Sequence, residues 1–151
     1  MVRLTRLSSK KLGEILLEGE LLDKDRLEHA LQEQAKSHEL LGEVLVRLGY
    51  VTELDIARSL ATQFALPFLN VSQYDVNRDV LARFSPAMLM EHQCLPLDQI
   101  GQVVILAIGG PIDAKVMEQF ERVAGCEVHL YVSTSAEIEK ALDKYLAERD
   151  K

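Results

Sequence analysis

The residues with the clearest capacity for recognition chemistry are two glycines and two glutamines set in matching helical surroundings. Leu12-Gly13 is followed by Leu27, Leu31 and Gln34. Leu41-Gly42 is followed by Ile56, Leu60 and Gln63, each 29 positions later. Segments 11–34 and 40–63 are therefore two copies of one pattern, opening on Lys11 in the first and on Leu40 in the second. Glycine lets a backbone or a ligand come close, and a glutamine amide offers both donors and an acceptor. Such a doubling suits a pseudo-symmetric ligand or partner. It also suits a doubled helical hairpin, with the glycines serving helix packing and the glutamines bonding to backbone.

Catalytic chemistry is hard to find. No GxxxxGK[ST] segment is present, so the chain carries no P-loop. His29, His38, His92 and His129 lack metal-ligand spacing, and Cys94 and Cys126 sit far apart beside apolar residues, as reduced packing cysteines do. Glu14 and Glu43 occupy equivalent repeat positions and read as capping or partner-facing groups, not as an acid–base pair. Gly109-Gly110 after an apolar run is a weak phosphate cradle, and with Pro111 it reads better as turn chemistry. The expectation is a protein that is not an enzyme.

Four helices are expected over the first 65 residues. Ser8 or Ser9 caps the first, with Leu12, Ile15 and Leu16 on one face; Asp23 caps the second, with Leu27, Ala30, Leu31 and Gln34 following at helical spacing. Ser37 caps the third, which Gly49 stops, and Thr52 with Asp55 forms a capping box for the fourth. Residues 66–93 connect: Leu66-Pro67 ends the fourth helix, Val80, Leu81 and Phe84 mark a short helix, and Ser85-Pro86 starts another. From Cys94 the period changes to that of strands. Leu95-Pro96-Leu97 and 103–108 are strands about a turn at Gly101. Asp113 starts a helix burying Val116, Met117, Phe120 and Val123 that ends at Gly125. Val128, Leu130 and Val132 alternate as a strand, and Thr134 with Glu137 caps a last helix bearing Ile138, Ala141, Leu142 and Tyr145. The fold class is a mix of α+β and α/β. Residues 1–65 form a four-helix repeat of two hairpins, 66–93 connect, and 94–151 form a β-β-α-β-α subdomain with a three-stranded mixed sheet.

The 151 residues carry a net charge of −7, which argues against a DNA or RNA partner, whose binder would be basic. Positive charge gathers only at the start, in Arg3, Arg6, Lys10 and Lys11, as a solvated terminus or a contact for phosphate or an acidic partner. No apolar run reaches membrane-spanning length and no secretory signal opens the chain, so a soluble, cytoplasmic protein is expected.

These residues resemble the N-terminal domain of type II secretion and type IV pilus assembly ATPases, often called MshEN. The pattern there is Arg-Leu-Gly-x-x-Leu, then Gly-Leu-Leu/Ile, then Leu-x-x-x-Leu-x-x-Gln, repeated after a five-residue spacer. Ala35 to Glu39 is that spacer, and the likeness continues through Leu66-Pro67-Phe68, the strand at 103–108 and the Pro111-x-Asp113 turn. The resemblance implies a non-catalytic regulatory domain that docks on the cytoplasmic part of an inner-membrane platform protein, attached to or working beside the assembly ATPase and peripheral to that membrane. It also implies a second use, as a cyclic-di-GMP sensor. The positions implied to face that ligand are Lys11, Leu12, Gly13, Leu27, Leu31 and Gln34, with Leu40, Leu41, Gly42, Ile56, Leu60 and Gln63 as counterparts. Aliphatic side chains would cover the guanine faces, and basic residues would meet the phosphates. Three positions depart from the pattern: Lys11 and Leu40 stand where it has arginine, and Glu20 where it has glycine. A charge-assisted hydrogen bond is worth roughly 1.5–3 kcal/mol, so the loss of charge at Leu40 is the costliest of the three for a phosphate ligand.

Overall fold

The computed structural model describes residues 12–149. The Ser8 or Ser9 cap and the basic residues Arg3, Arg6, Lys10 and Lys11 lie outside the described residues. Four helices come first: α1 (Leu12–Glu18), α2 (Lys24–Ser37), α3 (Leu41–Arg47) and α4 (Glu53–Phe64). The doubling extends to individual backbone hydrogen bonds. At the end of α1, Gly19 N–H donates to Ile15, Glu20 to Leu17 and Leu21 to Leu16. At the end of α3, Leu48 donates to Val44, Gly49 to Val46 and Tyr50 to Leu45, the same three bonds 29 positions on. The next helices start alike. Asp23 accepts from Arg26 N–H (2.8 Å), and Thr52 accepts from Asp55 N–H (3.0 Å) while the Asp55 carboxylate accepts from Thr52 N–H (2.9 Å). These bonds, one at Asp23 and two at Thr52, satisfy N–H groups at the helix starts that have no partner within the helix.

Both turns need a left-handed residue. Gly49 supplies it at φ +77°, whereas Glu20, its counterpart, is held at φ +60°. That is where the family pattern has glycine, because a side chain in this region costs about 1–2 kcal/mol.

Ser37 does not cap the third helix. The second helix runs through Ser37 and ends at His38 (φ +62°), whose N–H donates to Gln34 O. Leu40 takes the cap position of α3 instead, and its N–H donates to the Glu43 carboxylate (3.4 Å). On α2, Leu31 is 47% exposed, whereas Ala30 is fully buried and Leu27 half-buried.

After α4, a 3₁₀ turn (Val71–Gln73), α5 (Arg78–Leu81) and α6 (Pro86–His92) lead to the sheet; Ser85 caps α6, with Pro86 in its first turn. Strand β1 (Cys94–Ile100) pairs antiparallel with β2 (Val103–Ile108) about the Gly101 turn, with a bulge between Pro96 and Asp98. The first strand is longer than the Leu95–Leu97 reading because the antiparallel pairing continues to Ile100↔Val103. Helix α7 (Ala114–Ala124) crosses to β3 (Glu127–Val132), parallel to β2, and α8 (Ser135–Arg149) closes the chain. The sheet is three-stranded and mixed, in the order β1-β2-β3. Val123 on α7 is 42% exposed instead of buried, whereas Met117 and Phe120 hold the inward face, with the Phe84 and Phe120 rings 5.6 Å apart.

The two halves share one core. Just past α4, Leu69 N–H donates to Val132 O (2.8 Å) and Val132 N–H to Pro67 O (2.9 Å), so residues 67–69 run beside β3. Helix α4 itself packs on β3 and α8. Apolar residues of all four repeat helices and of the sheet join in a single buried cluster.

The strain at Glu20 yields a prediction. Glu20→Gly should stabilise the protein by about 1 kcal/mol, read as a higher urea midpoint with an unchanged slope; Gly49→Ala should lower the midpoint by a similar amount.

Candidate functional site

The repeat glycines interlock reciprocally. A Cβ on Gly13 would come 2.8 Å from Leu27 Cδ1 and 3.5 Å from Leu41 Cδ2; one on Gly42 would come 3.3 Å from Leu12 Cδ2 and 3.5 Å from Ile56 Cδ1. Each glycine therefore sits against the aliphatic residue of its own copy (Leu27 or Ile56) and against the leucine that precedes the other copy's glycine. In this way α1 and α3 come together through the absence of two side chains.

Beside that contact lies a cavity of about 180 Å³. Leu12, Leu40, Leu41, Gly42 and Ile56 form its repeat wall, with Glu43 at the edge. Across it stand Gln93 and its neighbours at the end of α6, the Gly109-Gly110-Pro111 turn after β2, and Ser135 at the start of α8. Gly109 N–H donates to Gln93 O (3.0 Å), and Ser135 Oγ donates to the Glu53 carboxylate (2.8 Å), which ties the far wall to α6 and α4. Gly109 is required by close approach, since a Cβ there would lie 2.8 Å from Ser135 Cα.

The remaining sequence candidates are placed differently. Leu60 is fully buried beneath α4, and Leu31, its counterpart, is exposed. Gln63 donates to Ile15 O (2.6 Å), bridging α4 to α1, and Gln34 donates to Glu39 O (3.2 Å) at the start of α3. Gly13 is buried in the interlock with Leu27 half-buried above it, and Lys11 lies outside the described residues. Five of the twelve candidates thus meet at one cavity. Sequence reasoning missed the opposite wall. Gly109-Gly110-Pro111 gave a visible turn signal, but nothing in the sequence points to Gln93, which ends α6 at φ +51°.

Among the described residues the cavity lining holds no lysine or arginine, one histidine (His92) and two carboxylates, Glu43 and Glu91. Burial pushes the Cys94 thiol far above its usual range, and that thiol donates to the His92 carbonyl. Among the described residues no three His, Cys, Asp or Glu side chains group as a metal site would require, and no helix is long and apolar enough to cross a membrane.

A doubled helical hairpin joined to a β-β-α-β-α unit, with an apolar cleft at the junction, defines a non-catalytic accessory domain. The chain belongs to the MshEN domain family, whose model matches residues 64–151. It is 26% identical over 141 residues to the type IV pilus assembly ATPase PilB of Myxococcus xanthus, covering 93% of this chain and 25% of that protein. The chain therefore spans about a quarter of that relative's length. The N-terminal domain of XpsE is similar at 26% identity and TM-score 0.69, with 89% of this chain and 92% of that one covered. MshE, solved with cdg, shares the fold at 23% identity and TM-score 0.67, covering 90% and 99%.

Two measurements check the geometry. Gly109→Ala should cost about 1–3 kcal/mol of unfolding free energy in urea because backbone must move, while Gly110→Ala, whose Cβ would meet only Gln93 Oε1 at 3.7 Å, should be near neutral. Gln63→Ala should cost about 1 kcal/mol by loss of its hydrogen bond, and Gln34→Ala less, since its local bond to Glu39 joins no distant elements.

Proposed function

We propose that this chain is the accessory domain of a type IV pilus or type II secretion ATPase system and that the cavity at the repeat–sheet junction receives cyclic-di-GMP. The observation that carries the reading is the convergence of Leu12, Leu40, Leu41, Gly42 and Ile56, drawn from both copies of the repeat, on one cleft. The similarly folded MshE was solved with cdg, and the chain is similar to a type IV pilus assembly ATPase, PilB. Leucine and isoleucine side chains offer an apolar shelf for a purine face, and the glycine allows the backbone to come near. Two phosphates need cations, and the described lining offers none but His92. Lys11, next in sequence to Leu12, is the residue we assign to that role. On this reading residues 1–65 act as the receptor, 94–151 as the opposite wall and 66–93 as the link between them. Occupancy would be relayed to the assembly ATPase and to the cytoplasmic domain of an inner-membrane platform protein, at which the domain is held peripherally.

Calorimetry with cyclic-di-GMP tests the reading. Binding tighter than about 100 μM, near −5.5 kcal/mol, is expected for the natural chain. Leu40 is 44% exposed at the cavity rim, so Leu40→Arg has room and should leave the melting temperature nearly unchanged. It should tighten binding about 10- to 100-fold, the worth of one charge-assisted hydrogen bond. Lys11→Arg should add less, because only the fork geometry changes. Absence of binding by both the natural chain and a well-folded Leu40→Arg variant would overturn the proposal.

A further inference from the structure

Beyond Leu40 and Glu43 the first cavity gives way to a second cleft of about 150 Å³, with different chemistry. Its floor is Ile138 and Leu142, both buried on α8, and its walls are Leu40 and Met90, which are 44% and 53% exposed. Two large apolar side chains left open over an apolar floor form a docking surface. Its polar lining is three carboxylates, Glu43, Glu139 and Asp143, with the neutral Gln93. Glu139 and Asp143 are one turn apart on α8, where like charges repel, and neither has a cationic partner among the described residues. Lys140 and Lys144 of the same helix line a separate pocket with Tyr74, Tyr145 and Glu137, and Lys140 pairs with Glu137 (4.0 Å). Of the charges on α8, Glu139 and Asp143 line the Leu40–Met90 cleft, and neither lysine does.

We infer that this cleft docks a short cationic–aliphatic segment of a partner protein, with one or two leucine-like anchors flanked by lysine or arginine. The anchors fill the space between Leu40 and Met90 over Ile138 and Leu142, and the flanking cations pair with Glu139, Asp143 and Glu43. An anionic ligand such as a nucleotide is disfavoured at this rim, so the two clefts take opposite charges while sharing Leu40, Glu43 and Gln93. The inference does not depend on nucleotide binding in the first cavity.

The test uses the full chain and a fluorescein-labelled probe peptide of sequence Lys-Arg-Leu-Leu-Arg-Lys, followed by anisotropy at low salt. Saturable binding is expected, weakened about 3- to 10-fold by Glu139→Lys or Asp143→Lys and similarly by Met90→Ser, with melting temperatures preserved because all three side chains are exposed. Glu118→Lys, an exposed charge reversal on α7, should leave binding unchanged, and the probe with serines in place of leucines should not bind. Equal losses in Glu118→Lys and Glu139→Lys would reveal unspecific adsorption to an acidic protein and overturn the proposal. So would the absence of binding, or binding only after residues 1–11 are removed, which would make the chain's own basic lead the occupant. Concentration-dependent dimerisation abolished by Met90→Ser would assign the cleft to a second copy instead and equally refute it.

Discussion

The contact between α1 and α3 rests on two missing side chains. Gly13 and Gly42 leave space that Leu27 with Leu41, and Ile56 with Leu12, fill from both directions. Each copy thus supplies part of the packing of the other, and neither hairpin has a complete apolar face alone. Glycine inside a helix costs about 1 kcal/mol relative to alanine. The close packing it permits offsets that cost, since buried aliphatic groups gain through both transfer from water and dispersion contacts. The position of the cavity follows from this interlock, because Leu12, Leu41 and Gly42 are at once its wall and members of the contact.

The sheet then breaks the symmetry. Helix α4 packs on β3 and α8, and residues 67–69 add themselves alongside β3, while α2 keeps an open face. Equivalent residues acquire unlike environments as a result: Leu60 is sealed and Leu31 faces solvent. The glutamines diverge in the same way. Gln63 reaches across to α1, and Gln34, on a helix that runs on to Ser37, turns to its own connecting loop. A two-fold repeat has become a one-sided cleft, with the opposite wall supplied by the end of α6, the turn after β2 and the start of α8, none of them part of the repeat.

Charge divides the surface of that junction. The first cavity couples an apolar shelf to backbone and glutamine groups and has the carboxylates of Glu43 and Glu91 in its described lining. The neighbouring cleft has the same apolar character, with three carboxylates and Gln93 around it. Leu40 stands between them as an exposed apolar side chain that lines both, with open space beside it.

Much of the fold was legible because it depends on chemistry acting over three or four residues. The caps at Asp23, Thr52, Ser85, Asp113 and Thr134, the left-handed turn at Gly49, the change of period after Cys94 and the 29-residue repeat are all local, and each is found where its residue types require it. The exceptions at Ser37 and Val123 share a cause. Whether a helix runs one turn further, or an apolar residue finds a cover, depends on elements arriving from elsewhere in the chain. The same holds for the site. The sequence by itself determined which residues are duplicated and which hairpins they build, because a period and a cap are properties of neighbours. Only the tertiary structure decided that five of those residues face one cavity, that Gln63 is committed to Ile15 and that Gln93 with Gly109 forms the opposite wall, because side chains far apart in the chain meet only when the sheet packs against one copy of the repeat and leaves the other free.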